Sequence, residues 1–166
     1  HFALVDDADH YVLIAGGIGI TPLKAMAQQL AASGRSWDLH YGGRSAGSMA
    51  YVQQLRSLDP QRVHVRAQDT DGMLDLDSIL ADVDSGTVVY CCGPAGLIDA
   101  ATAAVAASPA RELHVERFAA GAAPAVESAD SGLETFVVEL ARSGGEIEVG
   151  PDQSILEAVR AKIGIV

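Results

Sequence analysis

An apolar stretch with strand character, Tyr11-Val12-Leu13-Ile14-Ala15, breaks at Gly16-Gly17-Ile18-Gly19 and runs through Ile20-Thr21-Pro22 into a helical pattern of Leu23, Met26, Ala27 and Leu30. A buried strand that turns directly into a helix leaves free backbone N–H groups and the positive end of the helix dipole at its carboxyl end. That is a ready position for a phosphate or diphosphate. Thr21 is expected to cap the helix through its hydroxyl, and Pro22 to occupy its first position, where no N–H is needed. The glycine spacing, Gly16, Gly17 and Gly19, departs from the G-x-G-x-x-G dinucleotide pattern, so the turn alone is also compatible with a plain βα connection.

The rest of the chain repeats this strand-then-helix rhythm. Strands are predicted near 11–15, 37–42, 62–67, 87–92 and 112–116, and helices near 22–33, 48–57 and 95–107, with a weaker turn or helix at 75–82. Strands alternating with helices imply an α/β fold, a doubly wound parallel sheet covered on both faces. Ligands in such sheets sit beyond the carboxyl ends of the strands, so chemistry is expected at Gly16–Thr21 and Cys91–Gly96.

After Phe118 the texture changes. Residues 119–134 are Ala, Gly, Pro, Ser, Asp and Glu without periodicity, which reads as a linker. Short strands follow at 136–140 and 146–149 around the turn Arg142-Ser143-Gly144-Gly145, then a helix from Ile155 capped by Asp152 or Ser154. A hairpin and one helix bury too little to stand alone, so a second domain is expected to be cut short here.

Composition narrows the function classes. With 11 Lys+Arg against 22 Asp+Glu, a formal charge of −11, and no basic cluster, the chain is poorly suited to nucleic acid. No apolar run reaches the ~20 residues that span a bilayer. The two cysteines, Cys91 and Cys92, are adjacent and make neither a disulfide framework nor a metal motif, which suits a reducing cytoplasm. His40, His64 and His114 alternate with apolar strand residues and read as structural, and Asp75, Asp77, Asp82 and Asp84 as a solvated face. No nucleophile elbow supports hydrolysis.

Three further positions are candidates. A small cysteine at the end of Val88-Val89-Tyr90-Cys91-Cys92-Gly93-Pro94 can lie close to a flat ring, or be simply a buried core thiol. Glu116 and Phe118 share one side of an extended chain if the strand persists that far, and Phe118 could cover a planar cofactor or merely pack. Arg44, after Tyr41-Gly42-Gly43, stands where a Rossmann-like fold meets the adenosine ribose; the position suits stacking on adenine, pairing with phosphate, or equally a solvated charge.

Together, Ala15-Gly16-Gly17-Ile18-Gly19-Ile20-Thr21-Pro22, Tyr41 with Arg44, Tyr90-Cys91-Cys92-Gly93-Pro94 and Val115-Glu116-Arg117-Phe118 resemble the pyridine-nucleotide domain of the ferredoxin–NADP reductase superfamily, in its phthalate dioxygenase reductase and vanillate demethylase reductase branch. The resemblance implies a five-stranded sheet of order 3-2-1-4-5. It also implies a nucleotide domain at 1–118, a linker at 119–134, and at 135–166 the start of a β-grasp, plant-type [2Fe–2S] ferredoxin module. Gly16, Gly17, Gly19, Ile20, Thr21 and Pro22 would bind the diphosphate and nicotinamide side, and Arg44 the adenosine half. Cys92, Gly93 and Pro94 would lie near the nicotinamide and Phe118 over the flavin, with Cys92, Glu116 and Phe118 the catalytic set.

The implied reaction is hydride transfer from NADH to FMN, then single-electron transfer through the cluster to an aromatic-ring oxygenase or demethylase partner. NADH is favoured over NADPH because only Arg44 and Ser45 offer a 2′-phosphate site, while Asp69 and Asp71 oppose the extra charge. The chain lacks the flavin-binding motif and the C-x₄-C-x₂-C run, so by itself it is expected to be inactive. Alternatives are a reductase for another acceptor, an NAD(H)-binding module without redox chemistry, and a purely structural α/β module.

Overall fold

The computed structural model describes residues 2–118, 135–142, 144–151 and 153–163. The chain divides into two compact units, His1–Gly121 and Ala122–Val166.

In the first unit, β1 (His10–Gly16), β2 (Trp37–Gly43), β3 (Val63–Ala67), β4 (Thr87–Cys92) and β5 (Glu112–Glu116) form one parallel sheet in the order β3-β2-β1-β4-β5. β1 and β4 are buried along almost their whole length, as central strands covered on both faces must be. Side-chain alternation divides the core. Tyr11, Leu13 and Ala15 face one layer with Leu23, Met26, Ala27 and Leu30 of α1 (Ile20–Ala32). Val12 and Ile14 face the other with Ile98, Ala101 and Val105 of α5 (Ala95–Ala106). The sheet is therefore doubly wound, as its alternating sequence implies. The strand order reverses between β1 and β4, and the carboxyl ends of these two strands open there.

Several local expectations change. A 3₁₀ turn, Gly17–Gly19, runs straight into α1, so the helix begins at Ile20 rather than Pro22. Thr21 does not accept from the helix N–H groups; its hydroxyl donates to the Ile18 carbonyl at 3.0 Å. Pro22 is the third helical residue, still within the first turn where no intrahelical N–H bond is required. The helix expected at 48–57 shrinks to α2 (Val52–Arg56), because the backbone first makes a 3₁₀ turn at Ala46–Ser48 and then turns left-handed at Tyr51, φ 63°. Between β3 and β4, Gln68–Asp71 forms a short helix (α3) that periodicity does not reveal, whereas the turn or helix expected at 75–82 is the short helix Leu76–Ile79 (α4). Asp75 is exposed, as a solvated face requires, and it also caps α4, accepting from the Ser78 N–H at 3.1 Å. Asp84 likewise accepts from Gly86 N–H and the Thr87 hydroxyl, each at 3.0 Å.

In the second unit, β6 (Phe136–Glu139) and β7 (Glu146–Val149) pair antiparallel, and α6 (Ile155–Ile163) follows. Ile147, Val149 and Ala158 form its small core. Ser154 caps α6: the Glu157 N–H donates to its hydroxyl at 3.2 Å, and the Glu157 carboxylate accepts from Ser154 N–H at 2.8 Å. Asp152, the other expected cap, and the expected linker at 119–134 lie outside the described residues.

Candidate functional site

Two strand-to-helix turns meet at the switch point. Gly16 of the first turn is in backbone contact with Gly93 of the second: a Cβ on Gly93 would sit 3.0 Å from the Gly16 Cα, and one on Gly16 would strike Leu97 and Pro94 at 2.6 and 2.8 Å. These glycines are thus required by the packing of turn against turn. Gly17 differs. It is exposed, φ is +55°, and nothing stands within 4 Å of its would-be Cβ. Its missing side chain leaves backbone open to a ligand.

Beside this junction lies a cavity of about 440 Å³, within the range of small-molecule sites. Gly16, Gly17 and Pro94 border it at the β1 and β4 ends, and Gly42, Gly43 and Arg44 at the β2 end. Met49 packs under Gly43 and Leu74 under Gly42, leaving a wide, mainly apolar slot above strand ends that carry no side chains. The N-termini of α1 and α5 both begin at this end of the sheet, which favours an anion here.

Of the residues singled out from sequence, Gly16, Gly17, Arg44 and Pro94 line the cavity. Gly19, Ile20, Thr21, Pro22, Cys92, Gly93, Glu116 and Phe118 do not. Ile20 is fully buried in the α1-side core, and Gly19 is wedged against the Cys92 carbonyl. The Cys92 thiol is also fully buried, on the α1 side, while Cys91 faces α5. Burial, with Glu116 nearby, pushes the Cys92 thiol up to about 11, and burial pushes Cys91 up to about 12. Glu116 is the register partner of Cys92 and ends β5. Because the strand stops there, the alternation argument does not extend to Phe118, which follows in a bend and is about half exposed (52%).

Arg66, Gln68, Met49 and Leu74 are the functional candidates that the sequence did not single out. Arg66 was legible in principle. It stands at the carboxyl end of β3, directly beside Gly42 in the ladder, and strand ends are where such folds place their ligands. Met49 was not legible, because a helix was expected at the residues that form its turn.

The other titratable groups hold structure. His40 stacks on His64 with ring centroids 4.6 Å apart, and Asp38 pairs with His10 at 3.3 Å and His64 at 3.2 Å. Burial, then His64, pushes His40 down to about 4, so it is neutral near pH 7. His114 stacks on Tyr90. Among the described residues no three His, Cys, Asp or Glu side chains converge on a metal position.

Residues 1–115 match the family described as dimethylamine monooxygenase subunit DmmA-like, N-terminal domain. The chain belongs to this family. It is 45% identical over 163 residues to the phenoxybenzoate dioxygenase subunit beta of Ectopseudomonas oleovorans, covering 97% of this chain and 49% of that protein. It is 41% identical over 165 residues to the tetrachlorobenzoquinone reductase of Sphingobium chlorophenolicum, covering 96% and 49%. Among solved structures it matches phthalate dioxygenase reductase, described as a modular structure for electron transfer from pyridine nucleotides to [2Fe–2S]. The TM-score is 0.69 and the identity 34%, covering 100% of this chain and 51% of that one. The chain spans about half the length of the curated relatives it matches. These matches bear out the reductase-like fold that the motifs imply. No helix among the described residues is long and apolar enough to cross a membrane.

Proposed function

We propose that this chain is the pyridine-nucleotide module of a reductase that delivers electrons to an oxygenase or demethylase. The observation that carries the reading is the cavity at the β1/β4 switch point, floored by Gly16 and Gly17 and open to the ends of two helices. On this reading residues 1–118 are the nucleotide domain, 119–134 a linker, and 135–166 the start of a ferredoxin-like module. The setting is a cytoplasm that keeps Cys91 and Cys92 reduced.

The residues present fit a dinucleotide. Backbone N–H groups of the Gly16–Gly19 turn take the diphosphate with help from the α1 dipole. Arg44 and the slot between Met49 and Leu74 take the adenosine half. The nicotinamide then extends past Pro94 along the β4–β5 side, where Cys92, Glu116 and Phe118 stand. Cys92, its thiol enclosed and its carbonyl covered by Gly19, shapes the turn there, and Phe118 offers an exposed ring face. In the complete reductase FMN supplies the hydride acceptor and a [2Fe–2S] cluster the one-electron carrier. The described residues do not fit the cluster, since their two cysteines point to opposite faces of the sheet.

The sequence favours NADH because only Arg44 and Ser45 offer a 2′-phosphate site and because Asp69 and Asp71 oppose the extra charge. Neither lines the cavity, and the Asp71 carboxylate is turned onto the Ala67 N–H at 3.0 Å. The choice of nucleotide therefore turns on Arg44 and Arg66.

The test is anaerobic flavin reduction in the complete reductase, read by the loss of flavin absorbance after mixing with reduced nucleotide. Gly17→Val should abolish nucleotide saturation in the accessible range. Flavin reduction with unchanged saturation in that variant would move the site elsewhere. Nucleotide binding without flavin reduction in the unaltered reductase would instead favour a binding module without redox chemistry.

A further inference from the structure

Past Glu116 the chain leaves its ladder. β5 is an edge strand paired only to β4, and the pairing ends where Cys92 stands opposite Glu116. Phe118 follows in a bend, about half exposed, and among the described residues it belongs to neither layer of the core. A ring placed in this way is held only weakly by packing. The residue before it supplies a tie: the Arg117 guanidinium donates from Nη2 to Oδ1 of Asp99 on α5 at 3.0 Å.

Asp99 is an unusual residue for its helix. It is the only charged residue of α5, whose other members are Ala, Gly, Leu, Ile, Thr and Val. It does not stand in the first turn, so the helix dipole does not account for it. The rest of α5 is engaged elsewhere. Ile98, Ala101 and Val105 pack against the sheet, and Gly96, Leu97 and Ala100 line the cavity. On the β5 side, Leu113 packs into the α5 layer, and Arg117 reaches back to the same helix. One helix thus walls the cavity and anchors the end of the edge strand.

We infer that Asp99 is a positioning residue, which through Arg117 fixes the Glu116–Phe118 end of β5 beside the nicotinamide position. This rests on the reading that places Phe118 at the hydride-transfer end, and it names what holds the ring there. Asp99 does not line the cavity, so its effect passes through Arg117. The two side chains are 43% and 68% exposed, and water and salt compete for both. An exposed ion pair shifts an equilibrium by only about two- to fivefold. That is small against the stability of the fold, yet it is enough to change how often a weakly packed ring occupies one place.

The experiment takes two readings of the same variants. In this chain, the ¹⁵N–¹H heteronuclear NOE at the Arg117 and Phe118 amides reports their fast motion. In the complete reductase, anaerobic mixing with saturating reduced nucleotide gives the rate of flavin reduction, and titration gives nucleotide affinity. Asp99→Asn and Arg117→Gln should each lower the NOE at Phe118 and slow flavin reduction by about two- to fivefold, with nucleotide affinity unchanged. Added salt should act likewise on the unaltered protein and hardly at all on these variants. Asp99→Glu, which keeps the carboxylate, should stay close to the unaltered protein.

An unchanged NOE and an unchanged rate in both charge-removing variants overturn the inference and leave the nucleotide site standing. A loosened Phe118 with an unchanged rate removes that ring from the transfer end, and the underlying reading of Phe118 falls together with the inference. A rate lost along with nucleotide affinity, or lost equally in Asp99→Glu, assigns Asp99 a purely structural role and also overturns the inference. Both side chains are exposed, so the variants should melt with the unaltered chain, and a lowered melting temperature would mark the same structural role.

Discussion

Gly19 lies against the Cys92 carbonyl with no space for a side chain: a Cβ there would overlap the oxygen and sit 2.7 Å from the Gly93 nitrogen. The first βα turn is thereby keyed into the second, and the cavity floor depends on that fit. Gly19→Ala is expected to destabilise the chain by about 3 kcal/mol, near the upper end for overpacking, because backbone rather than a flexible side chain must yield. Gly17→Ala meets no neighbour and is expected to cost about 1 kcal/mol, from its positive φ alone. Equal losses in denaturant melts would contradict the keyed arrangement.

The thiols give a second expectation. With Cys91 raised to about 12 and Cys92 to about 11, both enclosed, neither supplies thiolate at pH 8. Ellman's reagent should find essentially no reactive thiol in the native chain and both thiols in denaturant. Rapid native reaction at Cys92 would show that its sulfur opens toward the nicotinamide side.

His40 is expected to make the fold sensitive to acid. Its folded-state value, about 4, lies below the ordinary histidine value of 6.5, so between these limits the unfolded chain binds more protons. The stability from a neutral His40 is then fully present above pH 6.5 and is lost as pH falls from 6.5 toward 4. The loss should be on the order of 2 kcal/mol. His40→Gln should flatten that part of the stability profile, measured by urea melts at fixed salt. Asp38, His10 and His64 surround the ring, so an unchanged slope in the variant would assign the acid sensitivity to them.

Tyr51 holds a left-handed backbone, φ 63°, while the Lys24 ammonium sits 4.3 Å from its ring centroid. The conformation costs a non-glycine residue about 1–2 kcal/mol, and the cation–π contact returns about 0.5–1 kcal/mol. Tyr51→Ala keeps the strain and loses the contact, whereas Tyr51→Gly loses both. The glycine variant should therefore be the more stable of the two by about 1 kcal/mol. The reverse order in thermal melts would mean that the ring's packing, not the backbone, dominates.

These particulars show why the sheet was more legible than the site. Strand and helix periods fixed β1 through β5, α1 and α5, because each pairs a long apolar pattern with a glycine or proline boundary. The motif glycines were read for ligand approach, a role the structure leaves open for Gly17, whereas Gly16, Gly19 and Gly93 are demanded by turn packing. What escaped was short and non-periodic: the 3₁₀ turn at Ala46–Ser48, the left-handed Tyr51 and α3. Those elements carry Met49 and Gln68 to the cavity, and no hydrophobic period announces them.

The central claim is that the cavity beside Gly16 and Gly17 holds a pyridine nucleotide. Its most direct test is a ¹⁵N–¹H NMR titration of the chain with ADP-ribose, which carries the diphosphate and adenosine without redox chemistry. Saturable shifts should be largest at the amides of Gly16, Gly17, Gly42, Gly43 and Arg44, with the β6–β7 hairpin unmoved. No saturable shift at millimolar ligand, or shifts centred away from these glycines, would contradict the assignment.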